Sequence, residues 1–260
     1  MKIASFNVNS IKAHWDQLAA WLKEAKPDVV CLQETKCVDD AFPRLEVEAL
    51  GYQAALNGQK TYNGVAILSR DKPHDILRGL PRFDDEQARY IEAVFERKGH
   101  APVRIASIYL PNGNPVDTEK YPYKLRWMKA LEARARHLLK EEETFVLAGD
   151  YNVIPEARDV YDPDGWKNDA LFRRETRLAF KGIVALGLTD AFRACSADAP
   201  AYTFWDYQAG AWPKNHGLRI DHLLLSPQAA DRLEACGIDK HVRGWEKPSD
   251  HVPIWCRLAT

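Results

Sequence analysis

Short apolar runs that end in polar residues recur from one end of the chain to the other: Ile3–Phe6, Val29–Leu32, Val65–Leu68, Tyr90–Phe95, Val103–Leu110, Phe145–Ala148, Leu223–Leu225 and Val252–Leu258. Runs this short, several bounded by Gly, Pro, Asn or Asp, suit strands better than helices. Between them the spacing changes. Trp15, Leu18, Ala19 and Leu22 repeat at helical intervals, as do Met128, Leu131, Ala135 and Leu138 in a stretch of good helix formers. A third helix is predicted over Arg174–Leu186, with Gly187 suited to its C-terminal cap. Strands and helices alternate, yet some consecutive strands have only hairpin-length connections, Gly51–Val65 and Glu96–Val103. Such links favour a mixed sheet, or two packed sheets with helices outside, over a purely parallel doubly wound fold. No linker, low-complexity tract or short-period repeat divides the chain, and the Asp- and Pro-rich stretch Pro155–Lys167 is short for a boundary. Residues 1–260 therefore read as one α/β domain.

Composition narrows the class only a little. The 260 residues are 46 % hydrophobic and 28 % charged, ordinary for a soluble globular protein and enough to bury a core without disulfides or a structural metal. A formal net charge of −1 means that any nucleic-acid surface must be a local patch offset by acid elsewhere. Cys31, Cys37, Cys195, Cys236 and Cys256 are scattered and contain no CxxC pair. They read as reduced thiols of a cytoplasmic protein, neither a disulfide framework nor a zinc site. The N-terminus has no apolar segment of signal-peptide length, and no run approaches the ~20 residues of a membrane span.

The informative feature is where the polar residues fall, at or just after the ends of apolar strands, where α/β folds build their sites. Asn7 and Asn9 follow the first run, Gln33 and Glu34 the second, Tyr109 and Asn112 close the fifth, and Asp150 and Asn152 follow the sixth across Gly149. Asp221 lies inside RIDHLLLS, and Ser249, Asp250 and His251 precede the last run. Brought together, these would make a pocket of three to four carboxylates, several amides, one phenol and one imidazole. Oxygen ligands without cysteine are what a hard cation such as Mg²⁺ requires. Imidazole and amide donors beside it suit a phosphate, and a free carboxylate can deprotonate a water.

Taken singly, each residue has an ordinary reading. Asn7 and Asp150 fit Asx turns or helix caps, Glu34 a solvated strand end, Tyr109 a core-rim aromatic, and Asp250 a turn cap partnered by His251. Asp221 is harder to dismiss, because a carboxylate amid apolar residues needs a partner, and a histidine is a natural one. His222 should point to the opposite sheet face and be structural. His14, His74, His100 and His137 read as surface residues.

The segments KIASFNVNSIK, VVCLQETK, YLPNG, LAGDYNVIP, YTFWDYQ, GLRIDHLLLS and EKPSDHVPIW closely resemble, in order and over nearly the whole chain, the exonuclease III family of AP endonucleases. That family lies within the endonuclease/exonuclease/phosphatase superfamily. The resemblance implies a four-layer α/β sandwich, two packed mixed sheets flanked by helices. It implies a DNA-repair nuclease that hydrolyses phosphodiester bonds in duplex DNA. Incision would fall 5′ to abasic sites and leave a 3′-hydroxyl, with 3′→5′ exonuclease and 3′-end-cleaning activity alongside. Glu34 would be the main Mg²⁺ ligand (Mn²⁺ being the alternative), with Asn7 close by and Asp250 a further ligand. Asp150 would deprotonate the attacking water and Asn152 hold it. His251, oriented by Asp221, would donate to a phosphate oxygen, and Tyr109 would approach the scissile phosphate. Lys12, Lys36 and Asn112 match positions near the DNA backbone. Phe204, Leu218 and Ile220 match a small apolar pocket for a flipped, base-free sugar. Double-stranded DNA with abasic sites or blocked 3′ ends is then the expected partner of a monomeric enzyme without membrane association.

Three positions depart from relatives: Asn9 stands where eukaryotic members carry Asp, Leu218 where some have Trp, and Pro115 where certain members place a DNA-inserting Arg. No wedge residue is therefore carried over. The competing reading is another phosphoesterase of the superfamily, acting on inositol phosphates, sphingomyelin or RNA. It would keep the Glu34, Asp150 and His251 core but has no need of the YTFWDYQ and GLRID elements. A catalytically dead DNA-binding domain would have lost those core residues.

Overall fold

The computed structural model describes residues 1–96, 101–196 and 200–259. Every predicted strand forms, with small changes at its ends: β1 (Lys2–Asn7), β2 (Val29–Gln33), β4 (Val65–Ser69), β6 (Tyr90–Phe95), β7 (Val103–Tyr109), β8 (Phe145–Asp150), β10 (Asp221–Leu225) and β12 (Ile254–Leu258). Four further strands escape the apolar pattern: β3 (Gln53–Asn57), β5 (His74–Arg78), β9 (Thr189–Asp190) and β11 (Leu233–Ile238). Among the described residues the strands build two six-stranded sheets, ordered β11-β12-β1-β2-β4-β3 and β5-β6-β7-β8-β10-β9. The four missed strands are the four sheet edges. An edge strand buries little, so its sequence carries no strong apolar run; β5, for example, is exposed along most of its length. Gly51–Val65 is accordingly not a bare hairpin link, since it contains β3. The β6–β7 hairpin is present, with Phe95 opposite Val103; residues 97–100, including His100, lie outside the described residues.

Alternation along each strand decides the layers. Ile3, Val29, Cys31, Val65 and Ile67 from the first sheet meet Ile91, Ile105, Val146, Ala148 and Leu223 from the second in one core between the sheets. The intervening positions face outward. Ala4, Phe6, Val30 and Leu32 are covered by α1 (Trp15–Ala25) through Leu18, Trp21 and Leu22, with the short α2 (Arg44–Ala49) alongside. On the other side α3 (Lys120–Lys140) lays Trp127, Met128, Leu131, Ala135 and Leu138 over Ala106, Ile108, Leu147 and Leu224. Beyond α4 (Pro163–Trp166), α5 (Arg174–Val184) adds Phe180 and Ile183 to the same layer. It ends two residues before the predicted Leu186, with Ala185 as its C-cap, and Gly187 follows with a left-handed φ of +111°. α6 (Ala191–Cys195), α7 (Ala211–Lys214) and α8 (Pro227–Ala230) complete the chain. The result is the α/β/β/α sandwich that the resemblance implies.

Among the described residues only two strand pairs are parallel, β1 with β2 and β7 with β8. They lie side by side in the middle of their sheets, so four strand C-termini emerge together at one end of the sandwich. A polar ladder joins the sheets beneath that end: Gln33 Nε2 donates to Ser107 Oγ at 3.0 Å, and Ser107 Oγ to the Leu32 carbonyl at 2.9 Å.

Candidate active site

Asn7, Glu34, Tyr109 and Asp150 stand at or just beyond the ends of β1, β2, β7 and β8. The registers place the rest. Asp221 lies opposite Asp150 across β10 and β8, and Tyr109 beside Asp150 across β7 and β8. Gly149 lets β7 and β8 approach there, because a Cβ at that position would fall 2.0 Å from the Ile108 carbonyl oxygen. Glu34 and Asn152 both turn with positive φ, +52° and +47°. Asn tolerates that conformation, but a Glu there is strained, as residues at functional sites often are.

The side chains converge. Asn7 Nδ2 donates to Glu34 Oε1 and to Asp150 Oδ2, both at 2.9 Å, and so bridges the two sheets. His251 Nδ1 pairs with Asp221 Oδ2 at 2.9 Å, while its Nε2 lies 3.7 Å from Asp150 Oδ2. Asp150 Oδ1 accepts the Asn152 backbone N–H at 2.9 Å. Asn152 Oδ1 in turn accepts from Asn112 at 3.3 Å. Lys36 Nζ sits 2.9 Å from Glu34 Oε2 and 2.6 Å from Asn9 Oδ1, and Asn9 Nδ2 reaches Asp250 Oδ1 at 3.1 Å. Phe204 packs edge-on to the His251 ring. Among the described residues, Glu34, Asp150 and His251 form the one group whose ligand atoms all lie within 4.8 Å of one another.

Burial and charge set the protonation states. Burial works to lower the His251 pKa, but the Asp221 and Asp150 carboxylates outweigh it and raise it to about 10, so the ring is cationic at neutral pH. Burial pushes the Asp150 carboxyl up to about 7, against the pull of the His251 charge. Glu34 goes the other way: burial would raise it, yet the Lys36 ammonium and the Asn7 and Lys36 hydrogen bonds hold it below the ordinary value. Tyr109 is raised well above its usual range, first by burial and then by the Glu34 and Asp150 charges, so its phenol stays a donor. A protonated His251 has no free ring nitrogen for a metal. The oxygens of Glu34 and Asp150 remain, and hard oxygen donors fit Mg²⁺ or Mn²⁺.

Four sequence-based expectations change. Asn7 presents NH₂, not oxygen, to both carboxylates, so it positions ligands and offers no ligand atom from that side. Asp250 is half-buried and engaged by Asn9, outside the tight group around Glu34. Leu218 and Ile220 are 1 % and 2 % exposed and pack with Tyr121, Ile154 and Phe172. They back the site, and of the three apolar positions Phe204 keeps surface beside His251. Lys12 and Asn112 are exposed, as DNA-backbone contacts would be. His222 faces away from Asp221 as expected, buried against Tyr151 and Phe180 with Nε2 2.9 Å from the Val153 carbonyl. His74 and His137 are exposed, whereas His14 is half-buried, with Nδ1 2.7 Å from the Val8 carbonyl.

Two contributors were missed. Arg89 stacks on the Tyr109 ring at 4.7 Å and donates to its carbonyl. Lys124 is fully buried, and its Nζ donates to the carbonyls of Asn112 at 2.9 Å and Asn152 at 2.6 Å. The signal for Lys124 was present: it stands on the apolar stripe of α3 at helical spacing from Tyr121, Met128 and Leu131.

Residues 4–251 match the Endonuclease/Exonuclease/phosphatase family. Exodeoxyribonuclease III of Haemophilus influenzae is 35 % identical over 99 % of this chain and 100 % of its own length. Among solved structures, an AP endonuclease from Archaeoglobus fulgidus superposes with a TM-score of 0.93 at 38 % identity, covering both chains fully. The 3′ phosphatase NExo from Neisseria, solved bound to product DNA hairpin, gives 0.94 at 36 %, again over 100 % of both chains. The protein belongs to the endonuclease/exonuclease/phosphatase family, and its similar relatives are exodeoxyribonuclease III and AP endonucleases. No helix among the described residues is long and apolar enough to cross a membrane.

Proposed function

We propose that this protein is a Mg²⁺-dependent DNA-repair nuclease that incises duplex DNA 5′ to abasic sites, leaves a 3′-hydroxyl, and trims or cleans 3′ ends. The observation that carries the reading is the buried pairing of a cationic His251, held by Asp221, with an Asp150 carboxyl poised near neutrality. Asp150, at about 7, has the proton affinity of a general base for water at physiological pH. Asn152 holds that water close to it. The Nε2–H of His251 donates to a non-bridging phosphate oxygen as charge builds, and the Tyr109 phenol donates beside it. Glu34 would hold Mg²⁺ or Mn²⁺, which would supply positive charge for the phosphate oxygens when bound, while Asp150 stays free of the metal as the base. Asn7 sets the spacing of those carboxylates. Lys12, Lys36 and Asn112 contact the DNA backbone, which gives sequence-independent, salt-sensitive binding. Phe204 covers the sugar of an extruded abasic nucleotide, an extrusion cheaper than for an intact base. The chain acts as a single-domain monomer in the cytoplasm.

The test is a labelled duplex with one abasic-site analogue beside an undamaged control, with Mg²⁺ and with EDTA. Incision 5′ to the analogue, ending in a 3′-hydroxyl and stopped by EDTA, is the expected result. Degradation from 3′ ends alone would reduce the role to exonuclease and end-cleaning. No cleavage, together with hydrolysis of a soluble inositol phosphate, would overturn the DNA substrate.

A further inference from the structure

We propose that Cys195 and Cys236 form a reversible intramolecular disulfide, a modification site that takes a two-electron oxidant of the peroxide class. The chain offers no Cys motif, but α6 packs against β11 and brings these two thiols together. Cys236 Sγ lies 3.7 Å from the Phe192 carbonyl oxygen. Phe192 is three residues before Cys195, so the two share one turn of α6. Both cysteines line one open surface hollow with Leu233 and Glu234. Directly opposite Cys236, across β11 and β12, stands Cys256.

The bland reading of a cysteine is a small apolar side chain. It covers Cys256, which is fully buried in the central core. It does not cover Cys195, which is exposed and lines the same hollow as a second cysteine. Exposure makes Cys195 the sulfur that an oxidant meets first. Cys236 is half-buried, so it meets the oxidant second and acts as the resolving sulfur. The Cys195 sulfur attacks one peroxide oxygen and the O–O bond breaks, giving a sulfenic acid and water. The Cys236 sulfur then attacks the sulfenic sulfur, the S–S bond forms and a second water leaves. Two thiols lose two electrons and one peroxide becomes two waters.

The pair is remote from the catalytic cluster. Cys256 lies beside Ile3 on β1, four residues or about 13 Å along the strand from Asn7. Variants at Cys195 and Cys236 should therefore leave basal activity unchanged.

The whole reduced protein is treated with hydrogen peroxide, quenched with iodoacetamide, and mapped by mass spectrometry without reduction. The expected result is a Cys195–Cys236 linked peptide that dithiothreitol abolishes, with a thermal midpoint a few degrees higher in the oxidised form. Cys195→Ser, an exposed and fold-neutral change, should remove both effects. Cys236→Ala should do the same and guards against a misfolded Cys236→Ser. A Cys195 that stays a thiol, or accumulates as sulfinic or sulfonic acid with no linked peptide, overturns the proposal. A linked peptide joining any other pair does so as well.

Discussion

Lys124→Met tests how the site is built, because the wild-type residue carries a cost that the variant removes. Lys124 is fully buried, and burial lowers its pKa from 10.5 to about 7. A neutral amine has two N–H donors, which match the two carbonyls it serves, those of Asn112 and Asn152. Between pH 7 and 10.5 the unfolded chain binds a proton at Lys124 that the folded chain does not. Wild-type stability therefore rises with pH across that window by about 1.4 kcal/mol per unit, and methionine has no such slope. Taking the two pKa values, wild type should gain about 2.5 kcal/mol on the variant between pH 7.5 and 9.5. Methionine leaves two carbonyls without their donor, a loss of ~1 kcal/mol each. The variant should then be about 2 kcal/mol more stable than wild type at pH 7.5 and slightly less stable at pH 9.5. Urea unfolding of both proteins at the two pH values measures the double difference, in which all other titrations cancel. A difference constant to within ~0.5 kcal/mol would refute a neutral Lys124. In the same variant kcat should fall about tenfold with little change in DNA affinity, because Asn152 loses the anchor of its left-handed turn.

Three further outcomes follow from the geometry. Glu34→Ala should abolish most cleavage, with partial recovery at high Mg²⁺; full activity without added metal would remove Glu34 from the ligand set. His251→Asn should lower kcat on the order of 10²-fold while Kd for DNA, measured by anisotropy in EDTA, stays near wild type; equal losses in both would mean that the ring serves binding rather than the transition state. Arg219, 1 % exposed, links Asp159 and Asp190 at 2.7 and 2.8 Å. Arg219→Met strands buried charge and should cost about 3–5 kcal/mol in denaturant unfolding; a loss below ~1 kcal/mol would show that the network is dispensable.

The sequence by itself determined the eight inner strands and the three long helices, because each buries a full face or stripe and so shows a clean period. It also marked the residues that the fold brings together, since Glu34, Asp150, Asp221 and His251 are polar residues placed where strands end. Three-dimensional packing decided the rest. Edge strands bury too little to leave an apolar run, so β3, β5, β9 and β11 emerged only when neighbours supplied their hydrogen bonds. Register and the pairing of two parallel strand pairs across the sandwich decided that Asn7 bridges Glu34 and Asp150 through its NH₂. The same registers left Asp250 on the rim, and Leu218 and Ile220 sank into the core behind the site. Protonation was decided there too, because His251 is cationic and Lys124 neutral only through burial and the charges beside them, neither of which is a property of local sequence. The Cys195–Cys236 contact is the plainest case. Forty-one residues apart, the two thiols meet only because α6 packs on β11, and no spacing along the chain encodes that distance.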